Sequence, residues 1–125
     1  MRLLLDTHLV LWAMQDSRAL SAAARAHLHG ADAVFVSAAS LWEMAIKASL
    51  GKLDVDSARL EQKLAEAGFQ QLPVSWRHTL KLRELPPLHR DPFDRMLVAQ
   101  AMSEPLRLLT HDSALVGYSE LVTLV

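Results

Sequence analysis

The chain has no cysteine. Disulfides, thiolate zinc sites, iron–sulfur clusters and a cysteine nucleophile are therefore excluded. Glycine and proline are scarce, at four and five in 125 residues, so few positions interrupt regular structure. An excess of charge is also missing: 13 Lys and Arg stand against 14 Asp and Glu, a formal net charge of -1. Taken in bulk, that balance gives no attraction to a polyanion. No apolar run approaches the ~20 residues of a membrane span. The apolar start, Leu3-Leu4-Leu5, stops at Asp6, far short of a signal-peptide core. The expectation is a cytoplasmic protein with no membrane contact. What is present is a chain 51% hydrophobic, without low-complexity tracts or repeats. At this length it buries roughly two thirds of its unfolded surface and needs neither metal nor disulfide to fold. Residues 1–125 are expected to form a single domain.

Hydrophobic pattern and punctuation predict alternating strands and helices. Strands are expected at Arg2–Leu5, Ala33–Val36, Leu106–Leu109 and Leu121–Val125, with a short extended piece at Gln70–Val74. Helices are expected from Thr7 to Met14, Ser21 to His29, Ser37 to Leu50, Asp56 or Ser57 to Gly68, Ser75 to Arg83, and Pro92 to Met102, with a helical turn at Ser113–Val116. The Pro86-Pro87 pair cannot be helical and joins two helical patterns. This alternation predicts an α/β fold, a three-layer arrangement with a mostly parallel central sheet of four to five strands flanked by helices. In such folds ligands bind beyond the carboxyl ends of the strands.

Four acids occupy telling places. Asp6 directly follows the first strand, where it either caps the next helix or faces a site. Glu43 lies on a helix that is apolar nearly all round, with Leu41, Trp42, Met44, Ala45, Ile46 and Ala48, and such a helix is expected to be largely buried. A lone acid on that face is costly unless paired; its bland role is an i, i+4 pair with Lys47. Asp91 is the natural N-cap before Pro92. Asp94, by contrast, shares a face with Leu97, Val98 and Ala101 and points toward the sheet. Asp112 follows the late strand, in Thr110-His111-Asp112, where it caps a turn or joins the site. Carboxylates that converge repel one another, and a hard cation such as Mg²⁺ or Mn²⁺ relieves the repulsion. Such ions serve phosphoryl chemistry.

Leu4-Leu5-Asp6-Thr7-His8, Val36-Ser37-Ala38-Ala39-Ser40-Leu41-Trp42-Glu43, Arg90-Asp91-Pro92-Phe93-Asp94-Arg95-Met96-Leu97-Val98-Ala99-Gln100-Ala101 and Leu109-Thr110-His111-Asp112 together resemble the PIN domain, and more narrowly the VapC toxins of bacterial toxin–antitoxin systems. Lys47, Gly51 and Lys52 also match a VapC subgroup. The resemblance runs from residue 3 to about 122. It implies an Mg²⁺- or Mn²⁺-dependent endoribonuclease whose catalytic, metal-holding acids are Asp6, Glu43, Asp94 and Asp112, with Thr110 as the hydroxyl beside the last acid. It also implies a homodimer and a small VapB-like antitoxin that blocks the acidic site. Hydrolysis of this kind leaves 5′-phosphate and 3′-hydroxyl ends.

Arg77, Lys81, Arg83, Arg90 and Arg95 crowd 19 residues that hold only three acids. Arg90 and Arg95 flank the helix start nearest the acids and are expected to contact RNA phosphates. His8, His78, His89 and His111 are scattered and are expected to play no catalytic part. Two rival readings remain: a catalytically silent PIN-like binding module, and a receiver domain with an acidic Mg²⁺ pocket. The receiver would need paired acids after the first strand and a Lys after a late one, and neither is present. If the four acids share one pocket, 13 bases face ten acids elsewhere, so the near-neutral total hides an acidic hole in a mildly basic surface.

Overall fold

The computed structural model describes residues 1–125, apart from the side chain of Ser57. The leucine run at the start is strand β1, Arg2–Leu5, with Leu3, Leu4 and Leu5 all buried. A strand apolar on both faces belongs inside a parallel sheet covered on both sides, and β1 is the central strand. The others are β2 (Ala33–Ser37), β3 (Gln70–Leu72), β4 (Arg107–Thr110) and β5 (Val122–Leu124). Their order is β3-β2-β1-β4-β5, and every pairing is parallel.

Parallel neighbours need crossovers, and helices supply them. These are α1 (Thr7–Met14), α2 (Ala22–Gly30), α3 (Ala38–Ser49), α4 (Ser57–Glu66), α5 (Trp76–Lys81) and α6 (Pro92–Ser103). Short polar side chains start them. Asp6, Ser21, Ser37, Ser75 and Asp91 each accept a bond from a backbone N–H of the first turn. The cap of α1 is thus Asp6, and Thr7 is its first helical residue. A 3₁₀ turn at Leu82–Glu84 carries α5 toward Pro86-Pro87, and another spans Ser113–Tyr118. Gly51 and Gly68 take φ of +72° and +85°, a left-handed conformation that closes α3 and α4 at little cost to glycine.

The strand alternation sends Leu4 and Leu108 to one face of the sheet, against Leu97, Val98, Ala101 and Leu115. Leu3, Leu5 and Leu109 face the other way, against Leu9, Val10, Leu20, Met44, Leu60 and Leu64. The result is the expected three layers. One expectation fails. Helix α3 is not buried all round: Ala39, Ser40, Glu43 and Met44 face inward, while Trp42, Ile46 and Leu50 are exposed, Trp42 by 64%. Its apolar residues exceed what one buried face requires.

Candidate metal centre

The strand order reverses between β1 and β4. In open parallel sheets the crevice beyond the carboxyl ends at such a point is the usual ligand site. Asp6 follows β1 there, and Thr110-His111-Asp112 follows β4. Helix α3 starts at the same edge, directly after β2, and carries Glu43 in its second turn. Helix α6 runs back across the sheet before β4, so its first turn, with Asp94, also lies at that edge.

Asp6 is buried, and both of its carboxylate oxygens are hydrogen-bonded. One carboxylate oxygen accepts the Leu9 N–H at 2.9 Å, capping α1. The other accepts the Thr110 hydroxyl at 2.6 Å and the His111 N–H at 3.0 Å. The Thr110 oxygen in turn accepts the Asp112 N–H at 3.0 Å. Thr110 therefore couples the two acids at the strand ends. Asp112 also caps its turn, accepting the Ala114 N–H at 2.9 Å. For Asp6 and Asp112 the capping role is met, and Thr110 links the two side by side at the strand ends.

Glu43 is 6% exposed. Its Oε2 accepts the Lys47 ammonium at 2.9 Å, the pair that the i, i+4 spacing anticipates. Its Oε1 is buried without a partner. An orphaned carboxylate oxygen costs free energy unless a cation or donor meets it, so this donor set fits a metal ion. Asp91 accepts the Asp94 N–H at 2.9 Å, as its cap position requires. Burial first, then the charges of Asp91 and Glu43, push the Asp94 carboxyl up to about 6, against the opposing bond from His89.

The imidazole of His89 lies between two of these acids. Its Nε2 is 3.0 Å from Asp94 Oδ2 and 3.4 Å from Asp112 Oδ2. Among the described residues, His89, Asp94 and Asp112 form a group whose ligating atoms all lie within 4.8 Å of one another. Asp6 and Glu43 border this group but stand outside it. The ligating atoms that lie together are thus those of two carboxylates and an imidazole.

The PIN domain family model matches residues 3–121. The chain belongs to the PIN domain family. No curated protein matches it. Among solved structures, a chain of VapBC2 from Rickettsia felis bound to a DNA fragment from its promoter superposes with a TM-score of 0.71 at 16% identity, covering 100% of this chain and 98% of that one. A chain of FitAcB from Neisseria gonorrhoeae gives 0.69 at 16% identity, covering 98% and 96%. A chain of a toxin-antitoxin complex from Klebsiella pneumoniae gives 0.67 at 17%, covering 96% and 94%. The PIN assignment displaces the receiver alternative.

The histidines of this PIN domain are less scattered than the sequence implies. His89 joins the acids. His8 and His111 sit on either side of Trp12, with ring centroids 5.8 and 5.0 Å from it, and His111 also bonds Asp6 through its backbone. His78, on α5, is buried and bonds Glu104, the residue that caps the end of α6. The missed signal for His89 was a metal-ligand residue type just before a capped helix whose first turn carries an acid. A second ring pair, Trp42 with Phe93 at 5.0 Å, lies beside Glu43 and Asp94 in sequence. Arg90 is exposed, free to meet an anion. Arg95 is engaged otherwise: it donates to Pro86 O and to Tyr118 Oη, both at 3.0 Å. Its guanidinium pins the Pro-Pro segment.

Proposed function

We propose that this PIN domain, spanning residues 1–125, is a divalent-cation-dependent endoribonuclease and the VapC-type toxin of a cytoplasmic toxin–antitoxin pair. The observation that carries the reading is the electrostatics at the sheet edge. Glu43 keeps a buried oxygen free of any donor, and burial, with Asp91 and Glu43 nearby, raises the Asp94 carboxyl to about 6. A cation resolves both. Asp6, Glu43, Asp94 and Asp112 would hold one or two Mg²⁺ or Mn²⁺ ions, which when bound activate water and neutralise charge on a reacting phosphate.

The chain's own groups do the rest. Thr110, expected from the sequence beside the substrate, is fully buried and instead fixes the carboxylate of Asp6 relative to Asp112. Lys47 compensates one oxygen of Glu43 and leaves the other free. Arg90 supplies an exposed positive charge for a phosphate. Arg95 acts through the loop it holds. Aromatic rings close in sequence to the acids, His8, Trp12 and His111, and Trp42 with Phe93, would suit stacking by unpaired bases of RNA. The intact acids weigh against a silent binding module.

Two exposed apolar rows support protein partners. One is Trp42, Ile46 and Leu50 on α3; the other is Val74, Trp76 and Leu80 around α5. The α3 row starts beside Glu43, so it suits a VapB-like antitoxin that must reach the acids. The α5 row suits a second copy of the chain. That the superposing chains come from VapBC and FitAB complexes agrees with such a partner.

The test is incubation of purified, partner-free protein with single-stranded RNA and Mg²⁺ or Mn²⁺. Cleavage is expected, and is expected to vanish with EDTA and with Asp94→Asn. Cleavage that survives both controls would refute the site.

A further inference from the structure

We propose that His89 is a nitrogen ligand of the cation centre and makes it a transition-ion site, preferring Mn²⁺ over Mg²⁺. The inference rests on the reading of Asp94 and Asp112 as metal-holding residues and adds a ligand to them. Three observations carry it. The Nε2 atom is placed between Asp94 Oδ2 and Asp112 Oδ2, at 3.0 and 3.4 Å, so one ring nitrogen and two carboxylates converge on a single point. Glu43 Oε1, buried and without a partner, is a separate sign that this edge of the sheet awaits a cation.

The third is the anchoring of the main chain at His89. The His89 N–H donates to Tyr118 Oη at 2.9 Å, and Arg95 donates to that same oxygen at 3.0 Å. Arg95 also donates to Pro86 O, as does the Leu88 N–H at 2.9 Å. Tyr118 thus holds the backbone of His89 directly, and Arg95 ties Tyr118 to the Pro86-Pro87 segment just before it. An anchored main chain narrows the positions that Nε2 can take, as a preorganised ligand requires.

The chemistry then selects the ion. Mg²⁺ takes oxygen ligands in near-ideal octahedral geometry and keeps its waters. Imidazole is a borderline base that first-row transition ions accept more readily. A set of carboxylates with one imidazole therefore favours a transition ion, and Mn²⁺ is the member of that series most suited to a carboxylate-rich site.

The experiment loads partner-free protein with Mn²⁺ alone and records its electron spin echo spectrum, with metal affinity measured by calorimetry. Wild-type protein is expected to show modulation from a directly bound nitrogen, and His89→Ala to lose it. In His89→Ala the Mn²⁺ affinity is expected to fall by about tenfold or more, with Mg²⁺ affinity changed by less than roughly twofold. A Mn²⁺-loaded wild type without nitrogen modulation would overturn the proposal, as would unchanged Mn²⁺ affinity in His89→Ala. Asp94→Asn separates this from the reading beneath it. Loss of Mn²⁺ binding there upholds the centre whatever His89 does, whereas wild-type binding by Asp94→Asn removes the centre itself.

Discussion

Asp94 is kept where its charge is disfavoured, and the fold bears the cost. Its folded carboxyl is raised from 3.8 to about 6, chiefly by burial and then by Asp91 and Glu43. A raised acid contributes stability that is present below its unfolded pKa and lost as pH climbs through the folded one. Metal-free protein should therefore lose stability between about pH 4 and 6 through this group. Asp94→Asn should melt above wild type at pH 7.5, by an amount on the order of 1–3 kcal/mol, and match it near pH 4. Mn²⁺ should raise the melting temperature of wild type and leave the variant unmoved. Calorimetric scans across pH, with and without metal, check all three. Thr110 is the complementary case, a buried hydroxyl that serves two acids at once. Thr110→Val leaves Asp6 Oδ2 and the Asp112 N–H each short of a partner and should cost about 1–3 kcal/mol in chemical denaturation, with cleavage activity falling as well. Both acids were legible in the sequence, because each breaks a local apolar pattern. His89 was not: it lies outside any periodic segment, and only the folding of the Pro-Pro loop onto Tyr118 brings it between Asp94 and Asp112.

Helix α3 shows how far periodicity reaches. The sequence marks the element, its Ser37 cap and its end at Gly51, and it singles out Glu43 as an acid on an apolar face. It also implies burial all round, which the structure does not have. An apolar residue that meets a partner reads the same as one that meets the core, so the row of Trp42, Ile46 and Leu50 was hidden among core positions. Substituting that row should test it as a partner surface. Leu50→Glu should change monomer stability by less than about 0.5 kcal/mol, as an exposed position allows, and should weaken capture of a co-expressed antitoxin in a pull-down. On α5, Trp76 is 88% exposed, and Trp76→Glu should shift the mass measured by light scattering from dimer to monomer. Unchanged mass and unchanged capture would leave both rows without a partner role. Arg95 carries the same lesson in polar form: its spacing beside Asp94 suggested a phosphate contact, but the carbonyl of Pro86 and the Tyr118 hydroxyl claim it.

For the whole molecule, topology does what no local signal announces. Strands and helices were readable nearly residue by residue, since a buried parallel strand must be apolar on both faces and each helix carries its own cap. The order β3-β2-β1-β4-β5 was not readable, and that order sets Asp6 beside Thr110 and Asp112 across a gap of more than a hundred residues. The same layout bears on the charge balance. A net of -1 spread evenly would repel a polyanion; if the four acids form one site, 13 bases face ten acids elsewhere, and two divalent cations would neutralise the four carboxylates. The core beneath is tight, with Leu97, Leu108 and Leu109 fully buried. Leu108→Ala, in the strand that carries Thr110 to the site, should cost about 2–5 kcal/mol. The contact of the His89 ring with Asp94 and Asp112 makes one contrast decisive: hydrolysis by a cation held on carboxylates against metal-free transesterification by a histidine. The ends of the RNA fragments distinguish them. With Mn²⁺ present, 5′-phosphate and 3′-hydroxyl ends are expected, and no product in EDTA. Fragments ending in 2′,3′-cyclic phosphate that form equally well in EDTA would contradict the assignment of the acids as the catalytic centre.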